Sequence, residues 1–191
     1  MQKKLPNVFL FIDEFNFKNL SLLDKNIDII YRNYKKKTDK STLISIKKFC
    51  KRSKRKFYIA NDIKKAIQLN IDGVYIPSFN KKINYSSFNT KKTFEIIGSA
   101  HNKKEIFIKK AQKCRLIFLS SLFKSEKSKK FLDVIKYNLT ILCEKKQFVA
   151  LGGINETNIK KVYLTKSVGF AGIRWIKKNG PRKILRPFYK S

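Results

Sequence analysis

Phe148-Val149-Ala150-Leu151-Gly152-Gly153 is a short apolar run that ends in two glycines and leads into a polar helix start at Asn155. Further on, Gly169-Phe170-Ala171-Gly172-Ile173 has the same form. Two successive buried strands with such turns are what the last quarter of a (β/α)8 barrel looks like, where the loops after strands seven and eight often hold a phosphate. Glycine at such a turn lets backbone N–H groups come close to an anion. Any tight turn accepts a glycine pair, however, so the decision rests on whether the rest of the chain keeps this rhythm.

It does. Short apolar, β-branched or aromatic runs bounded by polar stretches occur at Val8–Asp13, Ile27–Asn33, Lys56–Asp62, Gly73–Pro77, Phe94–Ala100, Arg115–Ser121, Gln147–Gly153 and Gly169–Trp175. Several lack alternation, as expected of parallel strands buried on both faces. Between them lie apolar residues at helical spacing: Ile44, Ile46 and Phe49; Ala66, Ile67 and Leu69; Ile106, Phe107, Ile108 and Ala111; Phe131, Leu132, Val134 and Ile135; Ile159, Val162 and Leu164. Asn61-Asp62 and Asn155 have the chemistry of helix N-caps. The segment 80–93 is polar and short, without a clear helix. An open doubly wound α/β sheet also satisfies the alternation. Eight strands favour the closed barrel.

At 191 residues the chain is shorter than the usual barrel of about 250, so its helices must be trimmed. The expectation is one barrel domain over 1–191, with a basic tail at 177–191 in which Pro181 and Pro187 oppose a long last helix. No linker or repeat divides it. Without a signal-like segment or an 18-residue apolar run, the expectation is a soluble, cytoplasmic protein with no membrane partner. Cys50, Cys114 and Cys143 are odd in number and far apart, which fits reduced thiols and neither zinc nor disulfides.

Lys+Arg 45 against Asp+Glu 13 gives a net charge of +32. Such a field attracts polyanions without regard to sequence and weakens with salt. The excess is nearly all lysine, spread along every helix. It accompanies abundant Ile, Asn, Phe and Tyr, all encoded by A/T-rich codons, so base composition explains much of it. The denser runs are Lys35–Lys37 and Lys51–Lys56. No nucleic-acid motif is present.

The strand ends carry a further pattern. Ile29–Tyr34 reads IIYRNY with Arg32 inside; Ala60–Ile63 reads ANDI with Asn61 and Asp62; Asp72–Ile76 reads DGVYI. Ser99-Ala100-His101 ends the fifth strand and Gly152–Ile154 the seventh. In order and spacing these motifs resemble those of the thiamine phosphate synthase family and its thiazole tautomerase relatives, over about residues 8–176. The resemblance implies a (β/α)8 barrel that joins a pyrimidine diphosphate to a thiazole phosphate and releases diphosphate. Diphosphate departs first, so Mg²⁺ and cationic side chains stabilise the leaving group. By the resemblance, Arg32, Asn61 and Asp62 handle the diphosphate and its metal, Ser99 lines the pocket, and Gly152 and Gly153 receive the thiazole phosphate. Asp62 also reads as a plain helix cap, Gly152–Gly153 as a plain turn, and His101 as a helix start.

The departures from the family pattern are specific. Ile30 and Tyr34 stand where Gln and Lys are expected. Asn80 is nearest the position of a second magnesium carboxylate, and such sites use only one or two. After strand six, Ser120-Ser121 replaces Gly-Pro. The Thr/Lys diphosphate loop is represented by Lys124-Ser125-Glu126-Lys127-Ser128-Lys129, with Lys127 a candidate contact. Ser121 in place of a catalytic His argues against the tautomerase reaction. Ile176-Lys177-Lys178 replaces the small Ser-Ala that closes the phosphate cup. Three readings follow: a synthase with a partly degenerate site and a phosphorylated small-molecule substrate; a member without that reaction that binds a phosphorylated thiazole, pyrimidine or other ligand; and a basic polyanion binder.

Overall fold

A computed structural model describes residues 7–34, 39–125 and 128–172. Within them the chain runs β1 (Asn7–Ile12), α1 (Phe17–Ser21), β2 (Ile27–Tyr31), α2 (Lys40–Arg52), β3 (Phe57–Ala60), α3 (Ile63–Gln68) and β4 (Gly73–Ile76). A single 3-10 turn at Asn84–Ser87 is followed by β5 (Glu95–Ala100), α4 (Lys103–Ala111), β6 (Leu116–Ser120), α5 (Asp133–Ile141), β7 (Gln147–Leu151), α6 (Ile159–Val162) and β8 (Gly169–Gly172). Each strand pairs in parallel with the next, and β8 returns to β1 through Asn7↔Gly169 and Val8↔Phe170. That last pairing closes the barrel and removes the open sheet from consideration.

The double burial predicted for the strands has a simple source. In β1, Phe9 and Phe11 point into the barrel, while Val8, Leu10 and Ile12 pack outward beneath the helices. The interior is dominated by rings. Phe9 meets Phe118 edge-on at 4.9 Å, Phe11 meets Tyr75 at 5.1 Å, and Tyr75 meets Phe118 at 5.7 Å and 89°. Edge-to-face contact at these separations adds about 0.5–1.5 kcal/mol to the burial of each pair. Space for the rings comes from small residues: a methyl at Gly73 would lie 2.9 Å from the Tyr58 ring.

The helical layer follows its caps. Asp62 accepts from the Lys65 N–H at 2.9 Å and starts α3. Asn102 starts α4 by accepting from the Glu105 N–H, and the Glu105 carboxylate accepts in return from the His101 N–H. This resembles a capping box with the return bond shifted to the residue before the cap. Asn155 accepts from the N–H groups of Thr157 and Asn158, ordering the turn into α6. Residues 80–93 supply only the 3-10 turn. Helical spacing identifies helices better than it identifies their buried faces: Phe107, Ile135 and Leu164 are exposed. Among the described residues no helix is long and apolar enough to cross a membrane. Cys50 and Cys114 are buried and Cys143 exposed, all three free. The end of the eighth expected strand and the tail 177–191 lie outside the described residues.

Candidate functional site

Each predicted site residue that can be placed sits at or beyond the C-terminal end of a strand, so all face the same end of the barrel. The floor of that mouth is aromatic. Arg32 follows β2, held by its own N–H to the Ile12 carbonyl at 2.7 Å, and its guanidinium lies 4.7 Å from the centre of the Phe11 ring. Phe11 leads to Tyr75, which lies beside the buried Ser99 side chain. Burial pushes the Tyr75 phenol up to about 12 against the opposing pull of Ser99 and Arg32, so it stays protonated at neutral pH. At the outer rim Tyr34 and Phe79, both exposed, meet edge-on at 5.7 Å and bridge the loops after β2 and β4.

Asn61 ends β3 in the left-handed region, φ 62°, a conformation Asn tolerates better than most residues. Its N–H donates to the Tyr75 carbonyl at 2.8 Å, and its side-chain oxygen accepts from Asn80 Nδ2 at 2.6 Å. Asn80 Nδ2 also donates to the Tyr85 hydroxyl at 2.7 Å, while its Oδ1 accepts from the Lys82 N–H at 3.0 Å. Asn80 thus reaches the end of β3, and does so as an amide donor. Asp62 is the helix cap: Oδ1 takes the Lys65 N–H and Oδ2 faces Lys65 Nζ at 3.5 Å.

On the opposite wall Gly152 and Gly153 follow β7 with φ of 94° and 69°. A Cβ on Gly152 would strike Ser121 Oγ, and one on Gly153 would strike the carbonyls of Phe123 and Lys124. Two hydrogen bonds, Leu122 N–H to the Leu151 carbonyl (2.9 Å) and Phe123 N–H to the Gly152 carbonyl (3.1 Å), complete this seam between the loops after β6 and β7. Lys124 and Lys129 are exposed on the first of these loops; Lys127 lies outside the described residues. His101 pairs with Glu105 at 3.0 Å at the start of α4. A small cavity of about 70 Å³, lined by Leu10, Ile12, Asn16 and Leu20 among others, lies on the outer side of β1 and includes none of the predicted site residues.

The residues that sequence reasoning missed are Phe11, Tyr75 and Tyr85. Tyr75 was within reach of it, since it stands inside the DGVYI string where the resembled family has His. Period-two counting along β4 sends it inward, next to Ser99.

The donor set does not fit a magnesium ion held by protein alone. Such an ion prefers one or two carboxylates with waters and substrate phosphates. Here Asp62 is committed to the α3 cap and Lys65, and the second position presents an NH2 group. Among the described residues no three His, Cys, Asp or Glu side chains cluster as metal ligands.

No relative is found among curated proteins. The structure resembles a thiamine phosphate pyrophosphorylase from Pyrococcus furiosus, with TM-score 0.72 and 16% identity over 95% of this chain and 93% of that one. It also resembles the thiamine phosphate pyrophosphorylase of Bacteroides thetaiotaomicron, with TM-score 0.59 and 12% identity over 96% and 94% of the two chains. The N-(5'-phosphoribosyl)anthranilate isomerase of Pyrococcus furiosus is similar too, with TM-score 0.64 and 9% identity over 98% and 100%. At these identities the structural likenesses speak for the fold, which unrelated chemistries share. The family is given by the sequence itself: residues 21–176 match the family model described as thiamine monophosphate synthase, and the chain belongs to that family.

Proposed function

We propose that the C-terminal mouth binds a phosphorylated small molecule, and that its chemistry is the thiamine phosphate synthase reaction run on a partly degenerate site. In that reaction the C–O bond between the pyrimidine methylene and diphosphate breaks, and the electron pair leaves with diphosphate. The thiazole nitrogen then forms the new C–N bond. The observation that carries the reading is Arg32, seated on Phe11 at the open end of a barrel of this family with no carboxylate partner among the described residues. A guanidinium placed over an aromatic face is a preorganised bidentate donor for phosphate oxygens. Asn61 lies on the neighbouring strand end, and Lys124 and Lys129 add mobile positive charge from the far side. Ser99 and the protonated Tyr75 offer neutral hydrogen bonds deeper in the pocket. Gly152 and Gly153 are the backbone segment set to receive the second phosphate.

None of these steps is routed through a magnesium ion held by two carboxylates, because the second carboxylate position carries the Asn80 amide. The same observation favours one other reading, a family member that keeps the ligand and has lost the turnover. Two measurements separate the readings. Rescue of a strain lacking thiamine phosphate synthase, with thiamine phosphate formed by the purified chain, supports the synthase. Calorimetric binding of thiazole phosphate or inorganic diphosphate with no product supports the binder. Absence of both rescue and binding removes the mouth as the functional site.

A further inference from the structure

Lysine is the residue this chain spends most freely on its surface, yet Lys109 of α4 has no exposed area. Its ammonium donates to the carbonyls of Pro77 (2.8 Å) and Asn80 (2.9 Å) and to Gln112 Oε1 (2.8 Å). Three donors meet three acceptors, and among the described residues no carboxylate is involved. Gln112, also fully buried, donates from Nε2 to the carbonyls of Asn80 (2.9 Å) and Lys82 (2.7 Å). The stem of Lys109 reaches this position because β5 carries Gly98 beneath it: a methyl there would lie 3.0 Å from Lys109 Cδ and 3.0 Å from Cys114 Sγ. Burying an ammonium is costly unless every donor is used, and here all of its hydrogen bonds go to the loop that carries Asn80 or to the glutamine that grips the same loop. Burial lowers the Lys109 pKa to about 8, with Cys114 and Glu105 pulling the other way, so it remains largely a cation at neutral pH.

We propose that Lys109 and Gln112 are positioning residues of the mouth: from outside the barrel wall they hold the loop after β4 by its carbonyls and thereby set Asn80 against Asn61. Neither touches the mouth itself. The effect passes through the backbone of 77–82 to the Asn80 side chain, which links Asn61 and Tyr85.

The test is amide hydrogen exchange on the full chain at pH 7, comparing Lys109→Met and Gln112→Met with the unmodified protein. Exchange over 77–85 should accelerate about tenfold in Lys109→Met and severalfold in Gln112→Met, with β6 and β7 unchanged. Unchanged exchange over 77–85, or acceleration spread evenly through the strands, overturns the proposal. Should Lys109→Met fail to fold, Gln112→Met decides. A second arm rests on the proposed function and uses inorganic diphosphate as probe. Lys109→Met and Asn80→Ala should each weaken binding about fivefold, and the double variant should lose no more than either alone, since both act on one group. Losses that multiply overturn the positioning role. If diphosphate does not bind the unmodified chain, the functional reading fails, and the exchange experiment still decides this inference.

Discussion

The two ends of the barrel handle charge in opposite ways. At the N-terminal end Glu95 points inward and is fully engaged: it accepts from Lys56 Nζ at 2.7 Å, from the Tyr58 hydroxyl at 2.5 Å and from Arg115. Beside it Asp28 takes the Lys56 N–H and Asp72 the Phe57 N–H, both at 2.9 Å. At the C-terminal mouth the cation Arg32 rests on a ring, the amides Asn61 and Asn80 hold each other, and the carboxylate of Asp62 is used as a helix cap. At the floor the charges answer one another; at the mouth Arg32 is left to the anion proposed above. The division agrees with the general assignment of stability to the bottom of such barrels and of chemistry to the top.

The comparison breaks most visibly if the ends are not independent. Arg32→Ala should weaken inorganic diphosphate binding about a hundredfold while changing stability by no more than about 1 kcal/mol, the worth of its contact with Phe11. Calorimetry together with urea denaturation reads both; a large loss of stability with binding intact would reverse the assignment. Glu95→Ala should do the opposite, costing about 2 kcal/mol by leaving the buried Tyr58 hydroxyl unpaired and separating Lys56 and Arg115 from their acceptor, with diphosphate affinity unaffected.

Acid titration sharpens the picture of the floor, because its two inward carboxylates shift in opposite directions. Burial raises Glu95, but hydrogen bonds from Lys56 and Tyr58 and the charges of Lys56 and Arg115 outweigh it, so its folded pKa is lowered. Its stabilisation is present above the unfolded value near 4 and lost as pH falls through the folded one. Asp28 is raised to about 6, chiefly by burial. Between about pH 4 and 6 the folded state holds a proton that the unfolded state has released, so this group makes stability fall as pH rises. Asp28→Asn keeps an acceptor for Lys56 and should add about 1 kcal/mol at pH 7.5 while flattening stability between pH 4 and 6. An unchanged pH profile would show that Asp28 is ionised throughout.

The smallest effect concerns metal. Asn80→Asp should strengthen Mg²⁺ binding in the presence of diphosphate by about threefold, since the new carboxylate also gives up two donor bonds and faces the Asn61 oxygen. Calorimetry of Mg²⁺ with diphosphate on both proteins measures it; no gain would place the metal position elsewhere.

The strands were legible because burial on both faces writes a continuous apolar run, and closure followed from there being eight of them. Arg32, Asn61, Asp62 and Asn80 were legible as positions, each a fixed step past a strand. Their partners were not. Nothing in a short polar stretch says that the Asn80 amide turns its NH2 toward Asn61, because that orientation is set by Tyr85 and the Lys82 N–H in three dimensions. Lys109 was hidden more thoroughly. Within a helix bearing Lys103, Lys104 and Lys110 it reads as one more surface lysine, and only the loop folded over it makes it a core residue. Helical spacing likewise marked Phe107 and Ile135 without telling inside from outside.

The glycine pair has a consequence for anyone rebuilding this protein. Because Gly152 and Gly153 lie flush against Ser121, Phe123 and Lys124, the turns after β6 and β7 form one mechanical part assembled from two distant stretches of chain. Transplanting a relative's diphosphate loop into 121–130 would therefore not be a local edit. A donor loop with a different backbone path would meet the glycine turn as a wall or leave it unsupported, so the exchange has to carry 151–154 with it. The natural unit for grafting activity onto this scaffold is the seam.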